Sequence, residues 1–429
     1  MKNSGNLAVR IDAAEQQLLF HHNPQNTSGW ITLAKKDPDT KRFRQYHYQP
    51  EELASALSDW MGEDVYYSQN SFYKPQRRID NIRQLRTLYV DLDVYNMGMT
   101  PEWVLGKLEF EVFGQALPEP NMVIFSGRGL VLIWHIEPLP IEAMPLWRAV
   151  ETFFVEQLKE VGSDTKATDP ARIFRLAGSI NSKNNAIVRA EYRHEHRYDI
   201  HQLQYDYLPE LSPKKLAVKK KGRKTKIVRM FNVYTLHLSR ARDLAKLVEL
   251  REGNINTRQN LLFLYRYFTC CFTDDPTKAL DDTLSLNSEF RRPLSEREVR
   301  SATKSAERAW AARSDAKANE IAKSFGYPGA GYNMSNSDII DWLDITPQEQ
   351  RHLSSIIGKD EKRRRNTEAR RKKRREEGMK PREEYLSEAE QKRLLIRNAI
   401  VENPGMSIRS LAQLTGQSKS AIQRVKATL

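Results

Sequence analysis

The sequence predicts an α+β domain, followed by an all-helical segment and a small helical unit at its C-terminal end. Three observations carry that prediction. Short apolar strands alternate with amphipathic helices to about residue 205; Leu, Phe and Tyr then recur at helical spacing; and the last forty or so residues hold short helical patterns around a glycine turn. With 429 residues the chain can bury a full core and carry smaller appendages.

Taken in order, Trp30–Ala34 and Phe43–Tyr48 read as strands flanking a turn-rich DPDTKR stretch, hence a hairpin. Pro50 opens a helix through Trp60, with Leu53, Leu57 and Trp60 on one face. Val65 to Tyr73 resumes strand character, and Leu146 to Val161 is an amphipathic helix carrying Val150, Phe153, Phe154 and Leu158. Leu244 to Phe272 is helical in pattern, and Cys270 and Cys271 fall inside its apolar face as core residues. A further helix runs from Ser295 to Ala312, where Ser295 and Glu298 form a capping box. The stretch 359–377 has no Pro or Gly and reads as helix. Glu388 to Glu402 is a helix stopped by Asn403-Pro404-Gly405. Beyond it, Ile408, Leu411, Ala412 and Leu414 form one apolar face, Thr415-Gly416-Gln417 a tight turn, and Ser418 opens a last helix that buries Ile422 and Val425. That is the helix-turn-helix pattern. Ser418, Lys419, Ser420, Gln423 and Arg424 would face the major groove of DNA, and Lys426 its backbone; a protein contact is the other use of such a hairpin. There are no internal repeats.

The net charge of +14 is unevenly placed. Residues 214–229 hold nine basic and no acidic side chains, and residues 359–382 hold thirteen basic and five acidic. Together these segments carry +17 against the total of +14, so the remainder is net −3. Basic connectors between near-neutral domains suit a polyanion such as nucleic acid, with Lys219, Lys220, Lys221, Arg223 and Lys224 as phosphate contacts; solvated linkers are the plain alternative. Two adjacent cysteines exclude a disulfide framework and a thiolate zinc site. No apolar run approaches the roughly 20 residues that span a bilayer, and the first residues lack the apolar stretch of a signal peptide. A soluble protein of a reducing compartment, with no membrane partner, is expected.

Three segments carry chemistry. In Leu88-Tyr89-Val90-Asp91-Leu92-Asp93-Val94 the period of two puts Asp91 and Asp93 on one strand face and the apolar residues on the other, buried one. Like charges about 7 Å apart along a strand are costly without a cation, and they can converge on one or two Mg²⁺ ions; a solvent-facing pair is the alternative. In Ser126-Gly127-Arg128-Gly129, between two apolar strands, the glycines let backbone N–H groups approach a ligand and Arg128 can pair with phosphate; a bare hairpin turn is the alternative. Asp164 and Asp169 precede Arg172, Arg175, a Gly-Ser turn, Asn181 and Lys183, which offers a further acidic ligand and several phosphate-binding groups, or a salt-bridged loop. No G-x-x-x-x-G-K-[ST] occurs, so no P-loop motor is encoded.

In this order, D-x-D, the S-G-x-G strand and D-x-x-R-x-x-R-x-x-G-S-x-N-x-K resemble the archaeo-eukaryotic primase superfamily, in its primase–polymerase-like branch of plasmid, phage and integrated-element replication proteins. SQNSFYKPQRRIDNIRQLRTLYVDLD resembles the approach to the acidic strand in that branch, and residues 65–183 carry the match. The stretches REGNINTRQNLLFLYRYF and LNSEFRRPLSEREV resemble the helical domain that follows the catalytic module there.

The resemblance implies an RRM-like sheet core. It makes Asp91, Asp93 and Asp169 (or Asp164) catalytic ligands of Mg²⁺ or Mn²⁺. Ser126, Arg128, Arg172, Arg175 and Lys183 would contact nucleotide or template phosphates. The chain departs from the pattern at Val131, where many members carry a nucleotide-contacting histidine. His135 lies on the same strand face about 13 Å further on; it is the substitute candidate, and an ordinary strand-end histidine is the plainer reading. The implied organisation is a catalytic domain over 1–205, a basic linker over 206–232, a helical domain over 233–315, a helical and basic connector over 316–385 and a helix-turn-helix unit over 386–429.

The implied activity is DNA-dependent synthesis by a nucleotidyltransferase of a mobile element. Its partners would be single-stranded template, origin duplex, nucleoside triphosphates and a host or element-encoded helicase. Two rivals stand beside it. One is a non-catalytic origin-binding initiator that recruits a host helicase, which Val131 favours. The other is a nicking initiator, invited by His194-Glu195-His196 but lacking the hydrophobic residue such enzymes place between the histidines.

Overall fold

The computed structural model describes residues 7–37, 42–209, 226–376 and 382–429, with 226–233 described through the backbone alone. Lys219, Lys220, Lys221, Arg223 and Lys224 lie outside the described residues, as does most of the basic stretch 214–229. The chain divides into two compact units, Met1–Ile357 and Gly358–Leu429.

The first unit begins with α1 (Leu7–His21), β1 (Ile31–Lys36), β2 (Phe43–Tyr48), α2 (Leu53–Trp60), β3 (Val65–Ser68), β4 (Ser71–Phe72) and β5 (Ile82–Leu92). There follow α3 (Pro101–Glu111), β6 (Met122–Phe125), β7 (Leu130–Leu139), α4 (Met144–Gln157), β8 (Ile173–Arg175), β9 (Ile180–Asn181), β10 (Ala186–Ile187), β11 (Arg189–Tyr192) and α5 (Ile200–Tyr207). The strands form two antiparallel sheets, ordered β2-β1-β3-β8 and β11-β6-β7-β5-β4, with β9 and β10 as a separate pair. The strand expected over Val65–Tyr73 breaks at Gln69 and Asn70, and this break makes the corner between the sheets. The buried Asn70 amide stitches it: its Nδ2 donates to the Pro170 carbonyl at 2.8 Å and its Oδ1 accepts the Arg86 N–H at 2.7 Å.

β5 differs from its expected one-sided burial. Leu88, Tyr89 and Val90 are all fully buried, so both faces are covered, and the strand ends at Leu92, one residue before Asp93. Side chains of α4 satisfy the backbone of β5 that lacks a neighbouring strand. Trp147 Nε1 donates to the Thr87 carbonyl at 2.7 Å, and the Glu151 carboxyl accepts the Tyr89 N–H at 3.1 Å. Burial holds Glu151 well above the usual carboxylate range, the Tyr89 N–H offsetting only part of that shift.

The helical part of this unit is α6 (Lys226–Leu250), α7 (Arg258–Thr273), α8 (Pro276–Asn287), α9 (Glu296–Ala312), α10 (Ala316–Ser324), α11 (Asn336–Trp342) and α12 (Pro347–Gln350). Leu244–Phe272 is therefore two helices broken at 251–257. The capping box at Ser295 is present in both arms. Sheets and helices share one hydrophobic core, so 1–205 and 233–315 belong to a single unit. Buried polar contacts join them: Arg78 pairs with Asp80 at 3.2 Å and with Glu289, Tyr265 donates to Asp80 at 2.6 Å, and the Ile79 N–H donates to Asp282 at 3.0 Å.

The second unit holds α13 (Lys359–Glu376), α14 (Arg382–Glu402), α15 (Ile408–Thr415) and α16 (Lys419–Lys426). α14, α15 and α16 close around Ile396, Ala399, Leu411 and Ile422. Gly416 ends α15 at φ +63, a left-handed position that suits glycine, and the Ser418 hydroxyl caps α16. Leu414, expected on the apolar face, is 60% exposed instead. Among the described residues no helix is long and apolar enough to cross a membrane.

Candidate active site

The C-terminal end of β5 opens into a cleft of about 400 Å³ between the two sheets. Its acidic floor is Asp91 and Asp93. Asp91 is the penultimate residue of β5, its side chain 26% exposed. Asp93 follows the strand end, where its N–H donates to the Gly162 carbonyl at 2.9 Å. Both carboxylates reach the cleft, although the chain turns between them rather than running on as a strand.

Arg172, immediately before β8, comes in from the opposite sheet. Its Nη2 stands 3.9 Å from Asp91 and 3.5 Å from Asp164. Asp164 is tied to the same point by its own N–H, which donates to the Asp91 carbonyl at 2.8 Å. Burial raises the Asp91 carboxyl to about 6, with Arg172 offsetting part of the shift and the like charges of Asp93 and Asp164 adding to it. A cation beside Asp91 would favour its ionised form.

The glycine turn forms the facing wall. The Ser126 N–H donates to the Gly129 carbonyl at 3.0 Å, and the Ser126 hydroxyl donates to that carbonyl at 3.1 Å. Gly127 sits at φ +98. A Cβ on Gly129 would stand 2.4 Å from the Leu92 carbonyl, so only glycine lets the turn close down on the backbone between the two aspartates. Asn181 holds the turn by donating to the Ser126 carbonyl at 2.7 Å, and Arg128 Nη2 donates to the Lys183 carbonyl at 2.7 Å. Arg128, Arg172 and Lys183 thereby ring the aspartates.

The other expected residues fall as follows. Asp169 lines the cleft, but its Oδ1 accepts the Ala171 N–H at 2.9 Å; Asp164 Oδ1 likewise accepts the Lys166 N–H at 2.9 Å. Each is therefore partly spent on its own turn. Among the described residues no group of three Asp, Glu, His or Cys side chains is gathered as a metal site. The pair Asp91 and Asp93 does fit Mg²⁺ or Mn²⁺ held by two carboxylates and completed by substrate phosphates, the usual mode for Mg²⁺.

Arg175 lines the cleft while its Nη2 is held by Asp64 at 2.8 Å and its guanidinium lies 5.0 Å over the Tyr66 ring. His135 is placed elsewhere. It is 2% exposed in mid-β7, its ring 5.0 Å from that of His21 and 5.1 Å from that of Phe20, and burial holds it well below the usual histidine range. Val131 takes the cleft position instead. Ser418, Lys419, Ser420, Gln423, Arg424 and Lys426 are all exposed in the second unit.

Sequence reasoning missed Tyr66, Arg77, Lys278 and Asp281 in the cleft. Arg77 stood in the segment SQNSFYKPQRRIDN already noted ahead of the acidic strand. Lys278 and Asp281 gave no signal, because α8 reads as an ordinary amphipathic helix.

No family model matches the chain. A protein of Clostridium perfringens described as a replication protein is 43% identical over 334 residues, covering 78% of this chain and 77% of that protein. Among solved structures, the archaeo-eukaryotic primase domain of the cyanophage S-2L primase-polymerase aligns at 16% identity with a TM-score of 0.35, over 45% of this chain and 96% of that one. The catalytic domain of primase RepB' in complex with initiator DNA aligns at 15% identity with a TM-score of 0.34, over 48% of this chain and all of that one. Identity of 43% across more than three quarters of both chains is a family relationship, and the chain belongs to the family of the Clostridium perfringens replication protein.

Proposed function

We propose that this replication protein is a primase: a nucleotidyltransferase that joins nucleotides on a DNA template in the cleft at the end of β5. The observation that carries the reading is a pair of carboxylates, Asp91 and Asp93, facing Arg128, Arg172 and Lys183 across one cleft. A divalent metal held by Asp91 and Asp93 would supply charge stabilisation for in-line phosphoryl transfer. Arg128, Arg172 and Lys183 bind and orient the triphosphate. Asp64 and Tyr66 fix Arg175 against the cleft wall, which limits the orientations it has to lose on binding phosphate. Of the two further acids, Asp169 lines the cleft and is the better candidate for a third ligand.

In this reading α15 and α16 form a helix-turn-helix, with Ser418, Lys419, Ser420, Gln423 and Arg424 toward the major groove and Lys426 toward the backbone. The basic segments, including Lys219, Lys220, Lys221, Arg223 and Lys224, hold phosphates. The partners are single-stranded template, origin duplex, nucleoside triphosphates and a helicase.

A second reading, a non-catalytic initiator that recruits a helicase, is favoured by one observation: Val131, not a histidine, lines the cleft beside the glycine turn. The test incubates the protein with single-stranded template, labelled nucleotides and Mg²⁺ or Mn²⁺. Template-dependent product that disappears in Asp91→Ala and Asp93→Ala, with DNA binding intact, supports the primase. DNA binding without incorporation by the natural sequence favours the initiator.

A further inference from the structure

The cleft does not end at α8. A second groove of about 690 Å³ continues from it, and Phe43, Arg77, Lys278 and Asp281 line both. One wall is the edge of the four-stranded sheet, where β2 turns Phe43, Gln45 and His47 to a single face. The opposite wall is α8 with the start of α9.

A row of flat groups crosses the sheet from this groove into the cleft. The Phe43 ring meets Tyr66 edge-on at 5.2 Å, and the Arg175 guanidinium lies 5.0 Å over the Tyr66 ring. Ala34 of β1 pairs with both Gln45 and Tyr66, and its small side chain leaves room for rings on either side to touch. Aromatic faces in sequence along a groove accept any base, because every base has a π-face.

The polar walls fit the same ligand. Arg77 donates to Gln45 Oε1 at 2.7 Å, fixing the amide, and Gln76 Oε1 is buried with no hydrogen-bond partner among the described residues. Of the three carboxylates of this groove, Glu296 is engaged by Arg42 and Arg300 at 2.8 and 2.7 Å and Asp282 by Lys278 at 2.7 Å, while burial raises Asp281 above the usual carboxylate range with Lys278 and Arg77 offsetting part of the shift.

The geometry points to this groove as the path of the unpaired template strand into the cleft, with bases against Phe43 and Tyr66 and phosphates near Arg77 and Arg300. The inference rests on the primase reading of the cleft and says which nucleic acid lies where. His47, held neutral by burial and by the charge of Arg77, can donate or accept toward a base edge from the same wall.

The test uses the full chain and single-stranded template oligonucleotides carrying 5-iodouracil at successive positions. Irradiation is expected to crosslink a defined run of positions to the peptides holding Phe43, Tyr66 and residues 285–288. In steady-state incorporation, Phe43→Ala and the exposed-site variant Ser288→Glu should each raise the template concentration for half-maximal rate by about 10-fold, and Ser288→Glu, which lies outside the cleft lining, should leave the nucleotide KM within twofold. Absence of crosslinks at both walls overturns the inference. So does a rise in nucleotide KM with no change for template, which would make the groove a nucleotide pocket. If the natural sequence incorporates nothing, the primase reading fails by itself and the crosslinks still decide the strand path.

Discussion

At Asp91 function and stability pull in opposite directions. Its carboxyl lies at about 6 against an ordinary 3.8, so the folded state favours the protonated form. The stability this contributes is complete below about 3.8 and is lost as pH rises through about 6. Above that, an ionised Asp91 costs stability that Asn would not. Asp91→Asn is therefore expected to raise unfolding free energy at pH 7.5 by on the order of 2 kcal/mol, with the gain vanishing near pH 4, while incorporation falls to background. Denaturant melts at both pH values check it. Millimolar Mg²⁺ should stabilise the natural protein and not the variant. Gly129 supports the same spot sterically. Gly129→Ala must push the Leu92 carbonyl away, so a loss of about 1–3 kcal/mol together with loss of synthesis is expected. Gly106→Ala, in α3 with open space around it, should instead be neutral or gain about 1 kcal/mol. Thermal melts of the two variants side by side separate local crowding from a general glycine effect.

Among the elements, α1 and β7 meet through three buried histidines. His21 and His22 stand 4.4 Å apart by ring centroid, and His21 lies 5.0 Å from His135. Burial lowers His21 to about 3 and holds His22 and His135 well below the ordinary 6.5, with Arg86 nearby adding to the shift. Lowered values mean stability that is full above 6.5 and lost as pH falls below it, because the unfolded chain takes up protons the folded chain refuses. The fold should weaken between pH 6.5 and 5 by up to about 1.4 kcal/mol per pH unit for each histidine. His135→Leu should flatten that slope, as urea denaturation at pH 7.5, 6 and 5 would show. A pH profile equally steep in the variant would mean that other groups dominate acid lability.

For the whole molecule, the division at 357/358 sets what can be separated. The first unit contains the cleft and the polar contacts of Arg78, Asp80, Tyr265 and Asp282 that fasten α7 and α8 to the sheets. Deleting 388–429 removes part of α14 and all of α15 and α16, which supply the second unit's small core, and leaves the cleft whole. Template-dependent synthesis should survive the deletion while preference for the origin duplex is lost, measured by primer synthesis and footprinting on the same preparation. Equal loss of both would show that the two units act as one.

The amino-acid pattern alone marked many of the elements and the candidate chemistry. Strand and helix periods placed β1, β2 and α9, the Ser295 capping box and the Gly416 turn, because caps and turns depend on residues a few positions apart. The same local reading singled out Asp91, Asp93, Ser126, Arg128, Arg172 and Lys183, since clustered carboxylates and arginines are costly without a ligand. It could not see that Asp93 sits past the strand end, that His135 is walled in by His21 and Phe20, or that Lys278 arrives from a helix about a hundred residues downstream. Those outcomes depend on which surfaces pack together, and packing joins positions far apart in the chain whose side chains carry no mark of their partner. Only the tertiary structure decided them.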